Sequence, residues 1–287
     1  MFFYQTIRLT FINVMTLMKT ILTTLLVILS SQSWASPTPI FDTHIHHNDK
    51  TQDEFNDKKV VSLLRQYDIK KALVSSSGDD NTQRLEGLAP DIVLPALRPY
   101  RKSSELRTWM HDESVIEHLE THLSTRRYHA IGEFHAFGNE MLTPVSLRLI
   151  ELAKEYNLVL HLHGDRQAMQ HIFKQWPDAK VLWAHAGFEA PNELANLFDE
   201  YPNLWADLSF RPEIVTWGGF NPEWEKAMLD NPDRFTLGAD TFSVDQWQKM
   251  PLYTLDTRDW LSTLPSEVAL NIAYRNAGRL FDVSISD

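Results

Sequence analysis

FDTHIHH, Phe41 to His47, sets three of the chain's 12 histidines and one aspartate into seven residues. On an extended strand, side chains two apart share a face, so His44 and His46 project together toward one point. Two imidazoles so placed are the arms of a metal site, and they also arise by chance. Whether they mean anything depends on what the other strands supply at matching places.

Outward from this stretch, from residue 38 onward, short β-rich runs alternate with longer amphipathic ones. The strand candidates are PIFDTHIH, KKALVSSS, IVLPALRPY, AIGEFHAF, LVLHLH, KVLWAHAG, LWADLSF and FTLGAD. Between them, EFNDKKVVSLLRQY, SVIEHLETHLS, TPVSLRLIELAKEY, RQAMQHIFKQW, APNELANLFDEY and NPEWEKAMLD repeat their apolar residues at helical spacing, and DQWQKM and SEVALNIAYRNAGRLF close the chain. Strands alternating with helices predict right-handed βαβ units and a parallel sheet. Eight units in this length predict an α/β fold of the (β/α)8 TIM-barrel kind, with its site at the C-terminal ends of the strands. An open doubly wound sheet is the rival. It calls for a glycine-rich turn after the first strand, and FDTHIHHND has none. No short repeat or linker divides residues 36–287, which read as one domain.

The first 35 residues read differently. Met18-Lys19 precedes the apolar run ILTTLLVILSSQSWA, which ends in the small-x-small pattern Ser33-Trp34-Ala35. A positive start, a short apolar stretch and a small-residue exit predict a cleaved export signal over residues 1–35, with Met15 or Met18 as the true start. An uncleaved anchor is the other reading, and Lys19 interrupts the apolar stretch it would need. The expected location is therefore the periplasm or beyond, without stable membrane insertion after cleavage. Removing the leader takes away Arg8 and Lys19 and no acid, which leaves 25 basic against 38 acidic side chains, a formal charge of −13. Such a surface repels phosphate backbones, so nucleic acid is not expected as a partner and a small molecule is. Cysteine is absent, so any metal site must be built from histidine and carboxylates.

The polar residues ending each strand supply such a set. Strand one gives His44 and His46, strand four Glu133 with His135, strand five His163 with His161 behind it, strand six His185 and strand eight Asp240. One histidine on an apolar strand is ordinary. Five strands ending this way place several costly buried polar groups together, and a shared ligand is the simplest reason.

With these motifs in this order, from DTHIH through HLHGD, VLWAHAG, YPNLWADLS and LGAD to NAGRLF, the sequence resembles the amidohydrolase superfamily, in particular the group called amidohydrolase 2, which includes metal-dependent decarboxylases. The resemblance implies metal ligation by His44 and His46, His163, His185 and Asp240. On strand four, branches of the family differ. GEFH offers Glu133, which resembles the glutamate of TatD-like nucleases, and no lysine. Glu133 is then either a bridge between two metals or an acceptor orienting a liganding imidazole.

Imidazoles and a carboxylate suit Zn²⁺, with Mn²⁺ or another first-row ion as alternatives, and one or two ions. Asp240 can also relay a proton, while His185 either holds a second metal or donates to the developing oxyanion. Arg98, Arg166 and Arg211 are candidates for a substrate carboxylate or phosphate, or for pairing with the chain's own acids. Trp217 and Phe220 either wall the pocket or pack a long loop. The expected function is metal-dependent hydrolysis of an amide, ester or lactone. A decarboxylase with the same ligands, a phosphoesterase and a non-catalytic metal- or ligand-binding barrel are the rivals.

Overall fold

Strand β1 (Ile40–His46) is buried along its whole length. Its alternate residues serve two layers. Phe41 turns outward, its ring 5.6 Å from that of Phe281 in the last helix, while Asp42, His44 and His46 share the opposite face. The structure, a computed structural model, describes residues 37–216 and 219–285. The predicted leader and Trp217 lie outside the described residues.

After β1 come β2 (Ile69–Ser75), β3 (Val93–Leu97), β4 (Ala130–His135), β5 (Val159–His163), β6 (Val181–Trp183), β7 (Leu204–Asp207) and β8 (Phe235–Thr236). They form one parallel sheet in chain order. A parallel bridge from Asp42 to Leu237, just past β8, brings the last strand back to the first and closes the (β/α)8 barrel. The helices are α1 (Asp57–Gln66), α2 (Asp80–Leu88), α3 (Ser114–Thr125), α4 (Pro144–Glu155), α5 (Arg166–Gln175), α6 (Pro191–Glu200), α7 (Pro222–Asp230) and α8 (Val244–Leu261). Short α9 (Ser266–Leu270), a π turn over Asn271–Arg275 and α10 (Asn276–Phe281) end the fold. Among the described residues no helix is long and apolar enough to cross a membrane.

Local chemistry sets where the helices begin, and those starts fix the loops that carry the site. The Asp165 side chain accepts from Ala168 N at 2.8 Å to cap α5, and from Gly138 N at 2.9 Å in the loop after β4. A cap of this kind contributes about 1 kcal/mol, and here it also ties the loop after His163 to its neighbour. Thr143 caps α4 through Ser146 N, with Pro144 at the first helical position, where its missing N–H costs nothing.

Four elements depart from the sequence expectation in ways that matter for the site. Helix α2 was not anticipated, because its buried positions include Asn81 and Thr82 beside Leu85 and dilute the apolar period. DQWQKM is only the start of α8, which continues through Pro251. A proline inside a helix lacks the N–H that would bond back one turn, so it reads as a stop in sequence. Buried Trp247, Met250 and Leu261 hold the helix together on both sides of it. Strands β6 and β8 end earlier than their quoted runs, at Trp183 and Thr236, so His185 and Asp240 stand on the turns beyond.

Candidate metal centre

His44 and His46 meet in the barrel mouth with their Nε2 atoms 3.0 Å apart. Each ring's other nitrogen is occupied. His44 Nδ1 donates to Asp207 Oδ2 at 2.7 Å, and His46 Nδ1 donates to Ser75 O at 3.1 Å. These bonds leave both Nε2 atoms turned to one place, where a metal cation, a proton on His44 or the Arg98 Nη2 that lies 3.0 Å from His46 Nε2 can meet them. Asp240 Oδ1 stands 3.5 Å from His44 Nε2 and 3.2 Å from His46 Nε2. All three residues are buried. The donor chemistry therefore fits a divalent metal ion.

Glu133 joins this set to a second one. Its Oε2 lies 3.1 Å from His46 Nε2, while its Oε1 lies 2.8 Å from His163 Nδ1 and 3.8 Å from His185 Nε2. His185 Nε2 is in turn 3.2 Å from His163 Nδ1. The six residues expected as ligands thus converge on one place.

The neighbouring backbone has no room to spare. A Cβ on Gly238 would sit 2.6 Å from the Cβ of His44, and one on Gly187 would sit 2.1 Å from the Trp183 ring. Glycine at both positions lets the turns after β8 and β6 close over the site. His185 itself has φ 57° and Asp240 φ 44°. Arg211 holds the first of these turns by donating to His185 O at 2.8 Å and Glu189 O at 2.6 Å. On the β1 side, Thr241 Oγ1 and Trp247 Nε1 both donate to His46 O, at 2.9 Å and 3.1 Å.

Charge follows from this packing. Burial opposes a proton on His44, but the carboxylates of Asp240, Asp207 and Glu133 outweigh it and hold the pKa well above the ordinary histidine value. Burial would raise Asp207, yet His44 and His161 keep it well below the usual carboxylate range. His161 lies under His44, with ring centroids 4.5 Å apart, and burial pushes it down to about 4. His135 stacks on His163 at 4.0 Å and is pushed down to about 3, again by burial. Both are neutral spacers. The third histidine of the opening stretch, His47, turns away to bond Asp57 Oδ1 at 2.7 Å at the start of α1.

The expected substrate-binding residues have protein partners. Arg98 is 5% exposed and donates to Glu133 Oε2 at 2.7 Å and Ser77 Oγ at 3.2 Å, which puts it inside the cluster. Arg166 forms a two-pronged pair with Glu189 at 2.9 Å and 2.7 Å. Arg211 pairs with Glu213 at 2.6 Å and lies over the Trp224 ring. Phe220 packs on Trp260 of α8 at 5.7 Å. The sequence reading passed over Asp207 and Ser209. Asp207 ends β7 as His46 ends β1 and His163 ends β5, and LWAD carried that signal.

A sequence model described as Amidohydrolase matches residues 110–283, more than half of the chain. No curated protein matches significantly. Among solved structures, a candidate 2-pyrone-4,6-dicarboxylic acid hydrolase of Pseudomonas putida is 10% identical, with 87% of this chain and 99% of that one covered at a TM-score of 0.58. A TatD homologue of Escherichia coli K12 is 18% identical over 85% and 98%, with a TM-score of 0.60. A second candidate 2-pyrone-4,6-dicarboxylic acid hydrolase, from Acinetobacter baumannii with citric acid bound, is 12% identical over 85% and 99%, at 0.54. At such identities the likeness is one of fold. Together with the matched family model, the closed barrel and its converging imidazoles, it leads to one conclusion: this chain belongs to the amidohydrolase family.

Proposed function

We propose that the protein is a metal-dependent hydrolase that cleaves an amide, ester or lactone of a small molecule. The observation that carries this is the pair of facing Nε2 atoms on His44 and His46 with Asp240 beside them. These three residues would hold the ion, and His/carboxylate donors suit Zn²⁺. A dication bound there supplies the Lewis acidity that makes water nucleophilic near neutral pH. The two imidazoles of β1 and Asp240 make one three-donor set, and we read one ion per chain.

The chain's own residues do the rest. Asp240 takes a proton from the attacking water and returns it to the leaving group. His185 donates Nδ1–H to Ser209 O at 3.1 Å, so its neutral ring presents a lone pair at Nε2. Burial favours that neutral form by lowering its pKa. It therefore orients water as an acceptor, or serves as a ligand, rather than donating to an oxyanion. Glu133 holds His163 and Arg98 in place.

The candidate dicarboxylic acid hydrolases among the structural neighbours support hydrolysis as the reaction class. The decarboxylase reading needs a free cation for the departing carboxylate, and Arg98 is already engaged by Glu133. We place the enzyme in the periplasm on the strength of the leader-like run alone, with a small molecule as partner and no nucleic acid.

Zn²⁺-loaded protein is to be assayed on neutral esters, lactones and anilides, beside Asp240→Asn and His185→Asn variants. Hydrolysis that both substitutions reduce supports the proposal. Release of CO₂ without hydrolysis, or of phosphate from phosphate esters alone, refutes it.

A further inference from the structure

Four phenylalanines stand on the loops after β4, β6, β7 and β8: Phe137, Phe188, Phe210 and Phe242, exposed by 41%, 61%, 42% and 41%. Three of their rings reach the imidazoles of the candidate centre, and the fourth adjoins one of the three. Phe137 lies 6.2 Å from the His163 ring, and Phe188 lies 6.0 Å from His163 and 4.9 Å from His185. Phe210 meets His185 edge-on at 5.7 Å and continues to Phe242 at 5.9 Å. Scattered exposed apolar residues need no explanation, but four from separate loops joined at one mouth make a patch.

Two of them hold that position against backbone preference. Phe188 has φ 55° and Phe210 φ 52°, a region that bulky residues avoid. Such strain gathers where a ligand is clamped.

Apart from Lys50, the ionised groups named at the rim are engaged by other groups of the protein. Arg166 is held by Glu189, Arg211 by Glu213, and Arg98 by Glu133. Glu140 accepts from Phe137 N, and Asp165 accepts from Gly138 N and Ala168 N. Lys50, 5.9 Å from the Phe242 ring centroid, is a cation at the outer edge. What these rings contact must therefore be largely uncharged, and because they touch the imidazoles it must adjoin the reacting carbonyl.

We propose that Phe137, Phe188, Phe210 and Phe242 form the specificity rim, and that it takes a neutral aromatic or similarly flat apolar group attached to the scissile carbonyl. This rests on the hydrolase reading above and sets the substrate apart from the dicarboxylic acids named for two of the structural neighbours.

The test has a binding arm that needs no turnover. The full chain is titrated calorimetrically with phenylacetamide, acetamide and succinamate. Phenylacetamide should bind about tenfold or more tightly than acetamide, and Phe188→Ser and Phe210→Ser should abolish the difference. Phe188→Asn with Phe210→Asn, which suits the left-handed backbone, guards against a folding artefact and should do the same. A kinetic arm compares 4-nitrophenyl phenylacetate, acetate and hemisuccinate, and the preference for phenylacetyl should fall toward unity in the same variants. Equal affinities, stronger binding of succinamate, or variants that keep the preference overturn the proposal. So does a dimer in light scattering that the serine variants dissociate without changing ligand affinity. If phenylacetamide binds as expected and no ester is hydrolysed, the hydrolase reading fails while the rim stands.

Discussion

Where helices end and the chain turns, the non-glycine residues with positive φ are Asp68, Asn157 and Asp282; at the barrel mouth they are His185, Ala186, Phe188, Phe210 and Asp240. Aspartate and asparagine tolerate the left-handed region well, so the first set is ordinary turn chemistry. Alanine and phenylalanine do not, so Ala186, Phe188 and Phe210 in the second set are strain accepted for a placement. The helix-end side also has a cavity of about 580 Å³, lined by Arg127, His129 and Lys180 among others. It contains none of the candidate metal-ligand groups among the described residues. The strained mouth is where the donors meet.

The contrast predicts unequal responses to substitution. The largest concern the ligands. His46→Ala and Asp240→Asn should each lower kcat/KM by about 10²- to 10⁴-fold, whereas Asn157→Ala at the other end should leave it within about twofold. Steady-state rates on a responsive ester measure this, and equal losses at the two ends would erase the distinction. Next is Asp207→Asn, which removes the carboxylate that fixes His44. Metal affinity should fall about 10- to 100-fold while circular dichroism is unchanged, as competition with a chelator reads out.

Packing comes third. Gly238→Ala should destabilise the fold by about 1–3 kcal/mol, because its Cβ meets His44 at 2.6 Å. Gly87→Ala in α2, with nothing within 4 Å, should instead stabilise by about 0.5–1 kcal/mol. Urea unfolding distinguishes them. The smallest effect is a swap of residue types between the two ends. Phe188→Asn should raise stability by about 0.5 kcal/mol, and Asn157→Phe should lower it by about 1 kcal/mol. Opposite signs would mean that the mouth is not strained.

Much of this was readable from sequence, for identifiable reasons. The strands showed because each is a short apolar run that ends in a polar residue, and the order of those endings picked out the residues that the barrel brings together. His185 and Asp240 join the cluster from turns and not from strands, and left-handed turns leave no periodic trace. Asp207 has only LWAD to mark it, and its bond to His44 Nδ1 joins residues 163 positions apart that only the closed sheet brings together. The partner of Arg98 was unreadable: Glu133 lies 35 positions away, and only the closed sheet decides which acid faces which arginine. Pro251 hid most of α8 because a proline's cost is local, while the burial of Trp247 and Leu261 that offsets it is tertiary.

The claim at the centre is that the two imidazoles of β1 and the carboxylate of Asp240 surround a place for one cation. Zinc in the purified full chain, supplied with Zn²⁺, dialysed against metal-free buffer and counted by inductively coupled plasma mass spectrometry, tests it directly. One ion per folded chain, lost in His46→Ala with the fold intact, is the predicted result. A folded chain that retains none, or an ion that stays bound after His46 is removed, would contradict it.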